Sequence, residues 1–238
     1  MFRALASAFR RHGPLRFCYL VVYNAVYYLA RRDRNEQPDP MDVAFDEGHG
    51  VETAKIREIG SLDIPSPNAK YAVRYQASDK DLARDALARL ELDWPGYTFI
   101  DYGCGKGLVL LLASAYPYKQ IVGVEFAIEL QQIAARNIAS YAAPEQQCRS
   151  ISVVPGDAAD FVPPPGPLVC YFYNPFGEPV MRKIVERLET RATENNEPIV
   201  VVYIDPRHEA LFRKSDRWEN SFRNEAYVIF CARTQPRQ

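Results

Sequence analysis

The sequence predicts an α/β fold: a doubly wound sheet of seven strands, mostly parallel, with an antiparallel strand at its C-terminal end and a helical extension before it. Three observations carry this. Five short apolar runs, at residues 97–101, 120–125, 150–154, 168–173 and 199–204, alternate with patterns of helical period. Strands apolar on both faces belong to a parallel sheet covered by helices on both sides. The final stretch, WENSFRNEAYVIFCAR, divides into two strands joined at Arg223, Asn224 and Glu225, a connection too tight for a crossover helix and therefore antiparallel. Finally, 238 residues that are 47% hydrophobic and 25% charged hold enough apolar side chains for one domain with an added segment.

That added segment comes first. Residues 1–34 carry seven arginines and one acid, Asp33, a net +6 that leaves −7 for the remainder. Within them FCYLVVYNAVYYLA, residues 17–30, is apolar except at Asn24. A bilayer takes about 20 apolar residues to cross, so this run is too short to span one. Arg31 and Arg32 stand where a signal peptide needs small residues. A basic, apolar helix of this kind suits either the anionic surface of the inner membrane face or packing on the domain that follows, and packing is the commoner fate of short apolar helices.

Residues 35–70 are acidic, rich in Pro and Gly and without sustained period, and read as a linker or an active-site cover. Ser78 to Asp81 has capping-box spacing ahead of Leu82, Ala83, Ala86, Leu87 and Leu90 on one face, which predicts a helix over 79–92. A second helix opens at Gly107. A third runs through Leu130, Ile133, Ala134 and Ile138, and a fourth through Val180, Met181, Ile184, Val185 and Leu188. Asp205 and Pro206 have the chemistry of an N-cap and a first-turn proline for another short helix.

Charge and composition exclude several classes of function. A net charge of −1 and a pI near 6.3 lack the basic footprint on which general nucleic-acid binding relies. Cys18, Cys104, Cys148, Cys170 and Cys231 include no CxxC, and a chain of this length needs no staples, which fits reduced thiols in a cytoplasm. His12, His49 and His208 lie far apart without zinc spacing, so no metal site is expected.

The stretch FIDYGCGKG, residues 99–107, follows a strand and opens a helix. Its glycines allow a sharp turn and the close approach of a ligand, and the helix N-terminus offers free N–H groups, so a nucleotide-like cofactor is expected here. Leu108 stands where the third glycine of a dinucleotide fingerprint belongs, which argues against an NAD-dependent oxidoreductase. Lys106 reads as a solvated lysine at the helix start. Glu125 closes the second strand, where a carboxylate can accept from both ribose hydroxyls, and Gly156, Asp157 and Ala158 follow the third. Each feature alone has a local reading as a tight turn or a cap. Their placement on successive strand ends is what makes a cofactor site specific.

These residues resemble the class I, Rossmann-like S-adenosyl-L-methionine-dependent methyltransferases, whose first motif is an acidic residue followed by G-x-G-x-G. The resemblance covers about residues 71–233 and makes 71–238 the methyltransferase domain. It implies S-adenosyl-L-methionine as cofactor, with Asp101, Gly103, Cys104 and Gly105 around its methionine part and Glu125 at its ribose. It further implies that Asp157 accepts from the adenine amino group while the N–H of Ala158 donates to the ring. Tyr71, in NAKYAVRY, matches a region from which an aromatic closes over the cofactor.

The fourth strand ends in YFYNPFGE, residues 171–178, at the edge where ligands of such sheets sit. Asn174, Pro175 and Phe176 resemble the [D/N/S]-P-P-[Y/F/W] tetrad of amino-group methyltransferases, with Phe176 in place of the second proline and Gly177 in place of the aromatic. The resemblance implies that Asn174, Pro175 and Phe176 form the catalytic segment, the side-chain oxygen of Asn174 and the carbonyl before the proline accepting from the target amine. A weaker similarity is to the Dot1-type lysine methyltransferases, which share the GVE-type second motif. Glu178 is a candidate proton acceptor or, more ordinarily, a first-turn helix acid. The expected function is methyl transfer to an amine on a protein, lysine included, or on a small molecule. The alternative is a noncatalytic cofactor-binding or membrane-adaptor protein that keeps Asp101 and Glu125 but transfers nothing.

Overall fold

Seven strands form one sheet in the order β3-β2-β1-β4-β5-β7-β6 in the computed structural model, which describes residues 38–55 and 78–233. They are β1 (Thr98–Tyr102), β2 (Gln120–Glu125), β3 (Ile151–Pro155), β4 (Leu168–Tyr173), β5 (Ile199–Ile204), β6 (Trp218–Arg223) and β7 (Tyr227–Ala232). β7 alone runs against the rest, pairing antiparallel with β5 and with β6. This is the predicted Rossmann-like sheet. From β1 the chain steps outward through β2 and β3, then returns to the other side of β1 for β4 and β5. That reversal opens a crevice at the carboxyl ends of β1 and β4, the place where ligands of open α/β sheets bind.

Strand residues alternate between two cores, as the pleat requires. Phe99, Ile121, Val169, Tyr171, Val200 and Val202 face one way, toward α2 (Lys80–Ala88) and α3 (Leu108–Ala113). Ile100, Tyr102, Cys170, Phe172, Val201 and Tyr203 face the other, toward α5 (Glu178–Asn195) and α6 (Ala210–Arg213). Every residue of α3 is buried. Between β2 and β3 runs α4 (Ile128–Ser140), which buries Leu130, Ile133 and Ala134.

Four local expectations are corrected. Within the stretch read as a linker, Pro40–His49 is an α-helix, α1. Its signals are caps: the Asp39 side chain accepts from Met41 N, Pro40 holds the first helical position, and left-handed Gly50 ends the helix. Phe45 is the one residue it buries, which leaves no periodicity to read. At α2 the cap is Asp79, whose carboxylate accepts from Asp81 N and Leu82 N, not Ser78. Asp205 caps no helix: its φ is +45°, and α6 starts only at Ala210. Lys106, read as solvated, is 0% exposed. The predicted helix within residues 1–34 lies outside the described residues. Among the described residues no helix is long and apolar enough to cross a membrane.

Candidate functional site

The loop from β1 to α3 is built on glycines that no other residue replaces without strain. Gly103, Gly105 and Gly107 have φ of +83°, +54° and +85°, in the left-handed region. A Cβ on Gly103 would stand 2.9 Å from Pro175 Cβ and 3.3 Å from Phe176 Cζ. The loop therefore packs directly on the Asn-Pro-Phe segment after β4, and the two predicted motifs meet. The N–H groups of Gly103 and Cys104 both donate to Val124 O, and Gly107 N donates to Cys104 O at 2.8 Å. Cys104 shapes the loop with backbone and side chain alike, because its thiol packs where a Cβ on Gly123 would sit, 2.6 Å from Sγ. Burial, then the charges of Asp101 and Glu125, push that thiol's pKa well above its ordinary value. The Cys104 side chain thus packs into the core, while its backbone belongs to the loop.

Two carboxylates stand at neighbouring strand ends, each 4% exposed. Glu125 Oε2 accepts from Gly105 N at 2.8 Å, while Oε1 accepts from Phe126 N at 3.0 Å and Ala127 N at 2.9 Å. Burial raises its pKa, and these three N–H donors work against that rise. A carboxylate offers about four acceptor directions. With three engaged, one acceptor direction of Glu125 remains. Asp101 is different. Its carboxylate makes no hydrogen bond among the described residues, and its pKa is driven well above the usual range by burial and then by the charge of Glu125.

The buried Lys106 has a partner that sequence reading missed. Its Nζ lies 2.8 Å from Glu52 Oε1. Asn137 on α4 completes a clamp, donating from Nδ2 to Glu52 O and Lys106 O and accepting from Glu52 N at Oδ1. The segment following α1, part of the stretch expected to cover the site, is thereby tied to the glycine loop. One signal was available: α3 is apolar all round, so a lysine at its head has no solvated face to occupy.

After β3, Asp157 Oδ1 accepts from Ala159 N at 2.9 Å and its carbonyl accepts from Asp160 N and Phe161 N. Asp157 thus caps a turn, with Ala158 buried inside it. Tyr71 lies outside the described residues.

At the end of β4, Asn174 is 7% exposed with φ of +37°. Its Nδ2 donates to Asp205 Oδ2 at 3.1 Å, and the same oxygen accepts from Arg207 Nε at 3.0 Å. A carboxylate only accepts, so it compels the amide nitrogen to face it and turns Oδ1 the other way. Asp205 thus orients the Asn174 amide and does not cap a helix. Phe176 is buried in the core beneath the loop. Glu178 is half-exposed in the first turn of α5 and pairs with Arg182, the ordinary helix-acid arrangement. A cleft of about 290 Å³ is lined by Tyr173, the last residue of β4, with Asp39, Met41, Asp42, Asp79, Lys80 and Asp81. Lys80 pairs there with Asp42.

No protein-family model matches the chain, and no curated protein matches it in sequence. Solved structures are similar to it. The 23S rRNA methyltransferase ErmE is 17% identical, with a TM-score of 0.48 over 66% of this chain and 69% of that one. The magnesium protoporphyrin IX methyltransferase of Synechocystis PCC 6803, solved with bound SAM, is 15% identical, with a TM-score of 0.48 over 65% and 79%. The precorrin-6y C5,15-methyltransferase of Geobacter metallireducens GS-15 is 16% identical, with a TM-score of 0.47 over 71% and 98%.

Proposed function

We propose that the protein is an S-adenosyl-L-methionine-dependent methyltransferase acting on an amine. The observation that carries this is the Asp101 carboxylate, buried at the topological switch point without a hydrogen-bond partner among the described residues. A buried carboxylate is unfavourable unless something pairs with it. The ammonium of the cofactor's methionine part is such a partner, and the three left-handed glycines beside it let a ligand approach the backbone. The remaining acceptor direction of Glu125 suits one ribose hydroxyl.

The cofactor supplies a methyl group already activated by its sulfonium, so the protein's task is alignment. Asn174 serves it. With Nδ2 fixed on Asp205, Oδ1 is presented as an acceptor for the N–H of an amine. The cleft at the end of β4, with four aspartates to one lysine, favours a cationic acceptor such as a lysine side chain. A protonated amine has no lone pair, so it must release a proton before it attacks. Glu178 is engaged with Arg182, which leaves solvent or the cleft carboxylates to take that proton.

Titration calorimetry of the full chain with S-adenosyl-L-methionine, its demethylated product and NAD tests the cofactor. Binding of the first two and not the third is expected, and no binding of either overturns the reading. Incubation of cell extract with methyl-labelled cofactor tests the acceptor. Label on an amino nitrogen of protein or small molecules is expected, and label found only on oxygen, carbon or sulfur overturns the amine assignment.

A further inference from the structure

Asp101 is not the only buried polar group at the switch point that lacks a partner. Tyr171, on β4, is 1% exposed, and its hydroxyl has no hydrogen-bond partner in good geometry among the described residues. Among the described residues three other buried side-chain atoms share that condition, on Tyr118, Gln146 and Arg191. None of those three belongs to a strand end of the site. Tyr171 does: it is the register partner of Asp101 across the parallel β1–β4 pair. Paired residues of adjacent strands point to the same face. Phe99, two residues before Asp101, shares that face and has its ring centroid 6.1 Å from that of Tyr171.

The two groups are complementary. Asp101 accepts hydrogen bonds when ionised. Tyr171 has a phenol whose pKa lies well above its ordinary value, raised by burial and then by the charge of Asp101, so it remains a donor. Tyrosine is the longer side chain, so its hydroxyl stands further from the sheet than the carboxylate. One ligand end that carries both an ammonium and a carboxylate answers both groups, whereas a simple cation leaves the phenol proton without an acceptor.

We propose that Tyr171 donates its O–H to the α-carboxylate of the ligand's amino-acid end while Asp101 accepts from the ammonium on the same carbon. This rests on the cofactor reading above and adds a residue to it. Ser78, just before α2, stands near hydrogen-bonding reach of the same hydroxyl, and the charge of Asp79 acts on it.

The test compares S-adenosyl-L-methionine with its decarboxylated form, for wild type and Tyr171→Phe, by titration calorimetry and thermal unfolding. Wild type is expected to bind the carboxylated form about tenfold more tightly, the size of one good hydrogen bond to a charged group. Tyr171→Phe is expected to bind both forms equally. It is also expected to melt at or above the temperature of wild type without ligand, because a buried hydroxyl with no partner is removed. Equal wild-type affinity for the two forms overturns the proposal without recourse to any variant. A Phe variant that still prefers the carboxylated form tenfold overturns it too. If wild type binds neither form, the cofactor reading itself has failed.

Discussion

The two sides of the site are held in different ways. On the β1–β2 side the glycine loop is bonded from three directions: by Val124 O, by Glu125 Oε2, and through the Glu52–Asn137 clamp on Lys106. On the β4 side, Asn174 hangs on one side-chain bond to Asp205, whose other side-chain partner is the exposed Arg207. Its φ of +37° is uncommon even for asparagine, so the backbone there is strained as well as lightly held. The contrast suits a division of labour. Under the proposed function, a cofactor that never changes would be met by a many-bonded cradle, and the acceptor by a group that one carboxylate orients. Damage on the first side is therefore expected to appear as lost stability and binding, and damage on the second as lost turnover.

The largest effect is expected at Glu125. Alanine there deletes the acceptor of three backbone N–H bonds, each worth about 1.5–3 kcal/mol to a charged group, though not additively. A loss of about 3 kcal/mol or more in denaturant unfolding is expected, together with loss of cofactor binding. An unchanged denaturation midpoint would break the picture of Glu125 as the loop's anchor. On the other side, Asn174→Ala is expected to leave the midpoint and cofactor affinity nearly unchanged while single-turnover transfer falls about 10²-fold, the usual sensitivity of rate to misplacement. If affinity falls and rate does not, the division of labour is wrong. The smallest effect is expected for Asp205→Asn. An amide in place of the carboxylate also donates, so it no longer compels Asn174 to turn Oδ1 away. Turnover should fall about tenfold, or about 1.4 kcal/mol, with binding intact, and an unchanged rate would remove Asp205 from the orienting role.

What was legible in the sequence follows the range of the interactions involved. β2, β4 and β5 occupy the residues the apolar runs predict, because continuous apolar character is a local property of a strand buried on both faces. Asp101, Glu125 and Asn174 stood out as candidates for a related reason: the first two close such a run and the third follows one. Lys106 was misread because its partner, Glu52, lies 54 residues away. The role of Asp205 depends on a positive φ and on a bond to a residue 31 positions earlier, and neither leaves a trace in composition. α1 was missed because caps hold it, with a single buried phenylalanine and no apolar stripe. Tyr171 read as one more apolar strand residue, since nothing local shows that its hydroxyl has no partner.

The central claim is that Asp101 is a buried carboxylate kept for a cationic ligand, and Asp101→Asn tests it most directly. The folded chain retains on Asp101 a proton that the unfolded chain releases near its ordinary value of 3.8. Stability contributed by this group is therefore present below that value and lost as pH rises toward the raised folded value. The amide removes the loss. By thermal unfolding at neutral pH, the variant without ligand is expected to melt several degrees above wild type, since relief of about 1–3 kcal/mol shifts a domain of this size by about 2–4 °C per kcal/mol. S-adenosylhomocysteine is expected to raise the melting temperature of wild type and to leave that of the variant unchanged. A variant that melts below wild type and is still stabilised by the ligand would contradict the claim.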